Sequence, residues 1–261
     1  MQYSKQETDP VSFYQISGIH GVPFIPWQET SVDTQDPSRG YCTHGSALFA
    51  TWHRPFVALF EQRIVKHAQY EASKFRGPQA DRWVAAARNV RLPYWDWSAS
   101  NLQSRMPAPL SDATVTVTRP GADGQPVTAT IANPLYQYQF MNNDLRTRYF
   151  NSQFARSQFT RRQPPSSSLS SSNMNQVNNV MNQGYTSRRA ATYALFNIPT
   201  FNEFSNTALS ASGAPNSWNS LESIHNSIHV NVGGQYGHMT AVAYSAVCPG
   251  TGAVSRSTAN F

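Results

Sequence analysis

Residues 220–230 read Ser220-Leu221-Glu222-Ser223-Ile224-His225-Asn226-Ser227-Ile228-His229-Val230. The stretch predicts a helix with Glu222 in its first turn, where a carboxylate suits the positive end of the helix dipole. His225 and His229 lie four residues apart, so both imidazoles leave one helical face. One helix can offer two nitrogens to one metal in this way. Taken alone, the pair also reads as two polar residues on a solvated face. Leu221, Ile224 and Ile228, however, set much of the helix against a core. A buried imidazole needs a partner, and a metal is one.

Five further histidines, 20, 44, 53, 67 and 238, lie outside this helix. His44 follows Cys42-Thr43, a spacing unlike a zinc finger. His53 opens a long predicted helix from Thr51 to Phe75, with Pro55 in its first turn. Phe56, Leu59, Phe60 and Ile64 make that helix's apolar stripe. For His44 or His53 singly, a cap or a loop hydrogen bond is explanation enough. Upstream, residues 11–21 predict a short helix stopped at Gly18 or Gly21, and 22–43 read as loop. Downstream come a short helix at Asp81–Asn89 and the aromatic run Leu92-Pro93-Tyr94-Trp95-Asp96-Trp97. Residues 114–118 and 127–131 alternate about Gly121–Gly124 and predict a small hairpin. Residues 151–184, rich in Ser, Asn and Gln, read as a partly disordered surface excursion. A further helix is expected near 186–196.

The chain has 261 residues, 39% hydrophobic and only 13% charged, with 6 Trp, 12 Tyr and 14 Phe. That argues against a disordered charged tail or a solvated coiled coil and suits a packed core or a site walled with rings. The length allows one large domain or two small ones. Net charge is +6. The basic residues are scattered, so no nucleic acid partner is expected. No apolar run reaches a membrane span, so no membrane partner is expected. The N-terminus lacks an apolar signal core, and Cys42 and Cys248 make no disulfide framework. Together these point to the cytoplasm.

Gly40-Tyr41-Cys42-Thr43-His44-Gly45 followed by Thr51-Trp52-His53-Arg54-Pro55-Phe56 strongly resembles the first copper site of tyrosinases and polyphenol oxidases. The aromatic run at 92–97 is similar to the element that follows that site. Residues 223–230, with Val232-Gly233-Gly234 and Gly237-His238-Met239, resemble the start of the second copper site. The likeness spans about Asp9 to Ala246 and is nearest the fungal-type enzymes. It implies a mainly α fold in a single domain over 1–261, a helical bundle around a binuclear copper site with a small hairpin and long loops. It also implies oxidation chemistry with dioxygen and small phenols: o-hydroxylation of monophenols and oxidation of o-diphenols to o-quinones.

By motif position, the resemblance gives His20, His44 and His53 to the first copper and His225 and His229 to the second. Cys42 matches the cysteine that can form a thioether to the middle histidine, His44. Glu222 and Asn226 match residues that hold and polarise a water near the second copper, where a base takes the phenol's proton. The third histidine of the second site should follow in an Asp-Pro-apolar-aromatic run ending in His-His. Here the likeness stops after Ala246, and 247–261 form a divergent tail without histidine. The expectation is therefore a chain truncated within the second copper site, lacking the C-terminal part of the bundle. The alternative to an active oxidase is an inactive or single-copper product, with His238 in a loop beside the pocket.

Overall fold

The computed structural model describes residues 7–20, 42–149, 157–208 and 219–235. Helix α1 spans Phe13–His20 and α2 spans Phe49–Ala72. Helices α3 (Ala80–Arg88) and α4 (Ala108–Ser111) follow, then strands β1 (Thr114–Pro120) and β2 (Pro126–Ala132). Next come α5 (Asn143–Tyr149), α6 (Met174–Gln183), α7 (Tyr185–Ala194), α8 (Phe201–Ser205) and α9 (Leu221–Gly233). The architecture is a helical bundle with one small antiparallel hairpin, as the resemblance implied. No helix among the described residues is long and apolar enough to cross a membrane.

Gly18 does not end α1. It lies inside the helix and is buried there, and the helix runs to His20. Glu7 fixes the approach to α1. Its carboxylate accepts from the Tyr138 hydroxyl at 2.5 Å and from the Met141 and Asn142 amides at 2.9 and 2.6 Å. Burial, and then the bond to Glu7, push the Tyr138 hydroxyl's pKa upward. Tyr14, Tyr138 and Phe140 close over this junction as one aromatic cluster.

Helix α2 starts two residues earlier than its apolar pattern suggests, which puts Pro55 at its seventh position. Its far end meets the hairpin. The Arg76 amide donates to the Gly124 carbonyl at 2.9 Å. Gly124 has φ +81°, and a Cβ there would lie 2.8 Å from the Lys74 carbonyl oxygen, so only glycine fits this turn. The hairpin pairs Thr114 with Ala132 through Pro120 with Pro126.

The main core joins Met106, Val177, Met181 and Val232, flanked by Trp95, Trp97, Leu110, Met174 and Ile228. This differs from the surface excursion expected at 151–184. Val177 and Met181 are wholly buried, and α6 packs against α9. Leu169 is also buried. The amide of Gln163 meets the Val232 and Gly233 carbonyls at 3.1 and 3.0 Å, and its side chain donates to Asn231 O at 2.8 Å. The carbonyls at the end of a helix lack partners within it, and this segment supplies them. The polar composition therefore reflects capping work as well as solvent contact.

At the other end of α9, Ser220 and Ser223 form a reciprocal capping box. Ile224, Ile228 and Val232 form one stripe of α9, and His225 and His229 form the adjacent one. The helix is thus held at both ends and along one side before its histidines meet anything.

Candidate metal centre

The five histidines reach the centre from four local settings. His20 closes the last turn of α1, His44 sits in the loop before α2, and His53 lies in the first turns of α2. His225 and His229 come from α9. Ligand atoms of His20, Cys42, His44 and His53 all lie within 4.8 Å of one another. So do those of His20, His225 and His229, so His20 belongs to both groups. The His225 ring lies 5.6 Å from both the His44 and the His53 rings, centroid to centroid.

Two backbone and side-chain oxygens decide how the rings are presented. His53 Nδ1 donates to the Phe49 carbonyl at 2.6 Å, and His225 Nδ1 donates to Asn226 Oδ1 at 3.0 Å. A carbonyl oxygen can only accept, so the lone pair of each ring stays on Nε2. His53 Nε2 meets His20 Nε2 at 3.1 Å, and His225 Nε2 meets His229 Nε2 at 3.0 Å. Cys42 Sγ lies 3.0 Å from His44 Nδ1, 3.8 Å from His44 Nε2 and 3.8 Å from His53 Nε2.

Electrostatics keep these imidazoles neutral. Burial first, then the neighbouring His53 and His225, lower His20 to about 3. Burial lowers His225 to about 4, with the Asn226 bond opposing it. His44 and His229 are held well below the ordinary imidazole range by burial and by the surrounding rings. His53 is lowered by burial, against the pull of the Phe49 carbonyl. Protonation would place like charges side by side, whereas a metal needs the neutral ring that is present. Clustered imidazoles suit copper by affinity and by softness.

The aromatic wall was only partly visible in the sequence. Phe49 is buried, with ring centroids 4.3 Å from His53, 5.0 Å from His225 and 5.4 Å from His44. Its position four residues before His53 was the available signal. Trp52 packs on Cys42, and Phe56 stacks 5.4 Å from His20.

Glu222 is fully buried. Its Oε1 accepts from the Gly45 amide at 2.8 Å, and its Oε2 accepts from the Thr207 amide at 2.9 Å and hydroxyl at 3.2 Å. Burial raises its carboxyl pKa, and these donors oppose that rise. No spacing in the sequence signals Thr207 as a partner. His238 and the expected tail at 247–261 lie outside the described residues.

Residues 10–249 match the family model of the common central domain of tyrosinase. The chain belongs to the tyrosinase family. The tyrosinase of Neurospora crassa is 34% identical over 246 residues, covering 91% of this chain and 36% of that protein. The structure of recombinant mushroom tyrosinase matches with TM-score 0.79 and 30% identity, over 98% of this chain and 45% of that one. The chain thus spans less than half the length of these two relatives. An Aspergillus oryzae active tyrosinase, copper-bound and complexed with L-tyrosine, shares the fold at TM-score 0.78 and 24% identity, over 98% of this chain and 71% of that one. The tyrosinase family binds two copper ions, and the two histidine groups offer this chain's candidate positions for them.

Proposed function

We propose that this tyrosinase-family chain carries a phenol-oxidising copper centre. It would hydroxylate monophenols at the ortho carbon and oxidise o-diphenols to o-quinones with dioxygen. One observation carries the reading: five neutral imidazoles from three helices and a loop converge in two groups. His20, His44 and His53 would hold one copper, and His225 and His229 the other. When bound, the metal pair supplies dioxygen activation and takes up the phenol's electrons. Each diphenol gives up two protons and two electrons, so one dioxygen serves two diphenols and leaves as two waters.

The protein's own work is presentation and exclusion. The Phe49 carbonyl and Asn226 hold His53 and His225 with Nε2 facing inward. Outer hydrogen bonds of this kind are worth roughly 10–100-fold in metal affinity. Phe49, Trp52 and Phe56 line the rings with flat apolar surface that suits a phenol and excludes water. Asn226 and Glu222 are the proposed aids to phenol deprotonation; Asn226 touches a candidate ligand directly, whereas Glu222 already serves three donors. The contact between Cys42 and His44 supports a thioether. In that step the thiol and one ring carbon each lose a hydrogen, a sulfur–carbon bond forms, and dioxygen takes the two electrons and two protons.

A second reading, a single-copper protein, draws on the sharing of His20 between both groups. Copper loading followed by assays with a monophenol and a catechol distinguishes them. Two bound coppers with quinone formation support the oxidase. One tightly held copper without turnover supports the second reading. A chain that retains no copper refutes both.

A further inference from the structure

We propose that Glu222 is a positioning residue, whose buried carboxylate clamps the turn carrying His44 to the helix carrying His225 and His229. The role of the clamp in metal binding rests on the metal-centre reading above; the clamp itself does not. Glu222 precedes His225 by three residues, and one of its oxygens holds the amide of the residue after His44. Its other oxygen holds both donors of Thr207. Contacts separated by 177 and 15 residues in sequence thus end on one carboxylate.

The partners are shaped for it. Gly45 has φ +61°, a conformation that L side chains rarely adopt, and a Cβ there would lie 3.5 Å from the Ala208 Cβ. The turn therefore touches the Thr207 segment as well as sharing its acceptor. Ser205, Asn206 and Thr207 are all buried, and Asn206 Oδ1 accepts from the Ala208 amide at 2.9 Å. No Lys or Arg among the described residues pairs with Glu222. A buried charge is costly unless its lone pairs are matched, and here backbone donors match them. Removing it would leave the buried Thr207 amide and the half-buried Gly45 amide without an acceptor. A carboxylate enclosed in this way sets where His44 stands relative to α9.

Amide exchange on the metal-free chain tests this, with Cu(I) competition as a second readout. In the unaltered chain, amides 45 and 207 both lie in loops yet should exchange at least ~100-fold more slowly than unprotected amides. Fast exchange at either site overturns the clamp, and this measurement needs no variant. Glu222→Gln turns one acceptor into a donor. It should speed exchange at both amides by about 10-fold or more and weaken copper binding to the His20, His44 and His53 group by about 10-fold. Val177→Ala, a core cavity, should lower Tm without either effect. If Glu222→Gln does not fold, Thr207→Val, which removes only the hydroxyl donor, should speed exchange at position 207. Unchanged exchange in a folded Glu222→Gln protein that has lost turnover would overturn the proposal and return Glu222 to holding water. A chain that shows the paired protection but binds no copper would sink the metal-centre reading and leave the clamp standing.

Discussion

His20, His44 and His53 come from a helix end, a loop and a long helix, whereas His225 and His229 share one helix. The first group needs tertiary structure to bring its three segments together, although His53 and His44 each also have a local support. Glu7 holds the entry to α1, the Phe49 carbonyl holds His53, and Cys42 touches His44. The second group is spaced by helical geometry alone, and the N-terminus of α9 is capped locally by Ser220 and Ser223, while Gln163, 68 residues away, meets its C-terminal carbonyls. The second pair should therefore keep its geometry under mild perturbation yet bind more weakly, because it borrows His20 for a third nitrogen. The first should bind tightly and fail abruptly when its supports move.

The largest expected effect is at His53. His53→Ala should abolish tight copper binding by the first group and lower quinone formation more than ~100-fold, beyond what outer-shell changes cost. His229→Ala should spare tight binding of one copper. Equal copper loss in both variants, by metal analysis, would erase the distinction between the groups.

Acid should act on both groups in the metal-free chain. Folded-state pKa values of about 3 for His20 and about 4 for His225 lie below the ordinary imidazole value near 6.5. The unfolded chain binds those protons first, so the stability is fully present above about pH 6.5 and is lost as pH falls toward 4. These two residues alone should make unfolding free energy fall by about 2–3 kcal/mol per pH unit in that window. Denaturant titrations from pH 7 to 4.5 measure the slope. A flat profile would mean the imidazoles are already charged or exposed.

Cys42→Ser should be milder. The copper-loaded, air-exposed chain should lose the mass of two hydrogens when the thioether forms, and the variant should not. Copper affinity of the first group should fall by about 10-fold in the variant, with the second pair unaffected. An unchanged mass in the parent chain would remove the thioether.

Smallest is Asn226→Ala, which frees His225 Nδ1 from its acceptor. It should weaken only the second group, by about 10-fold at most, in a Cu(I) competition titration. An effect on the first group as large as on the second would show that the two are not separable.

Much of this was legible in the sequence where spacing carries the information. The i, i+4 histidines, the α2 stripe and the alternating hairpin all follow from fixed backbone periods. Composition misled in the described part, 157–184, of the excursion expected at 151–184. Met174, Val177 and Met181 keep a helical spacing among Asn and Gln, and that sparse stripe outweighs the polar count. Of the two expected stops, Gly18 and Gly21, Gly18 lies inside the helix, where tertiary burial overrides its weak propensity, and the helix ends at His20. The bonds from Glu222 to Gly45 and Thr207 join residues without any sequence period, so no local pattern could announce them.

X-ray absorption at the copper edge of the loaded chain tests the central claim most directly. Copper held by His20, His44, His53, His225 and His229 should show nitrogen scattering with the outer-shell signature of imidazole rings and no sulfur shell. A sulfur shell, which would place Cys42 among the ligands, or a first shell without imidazole signature would contradict the account.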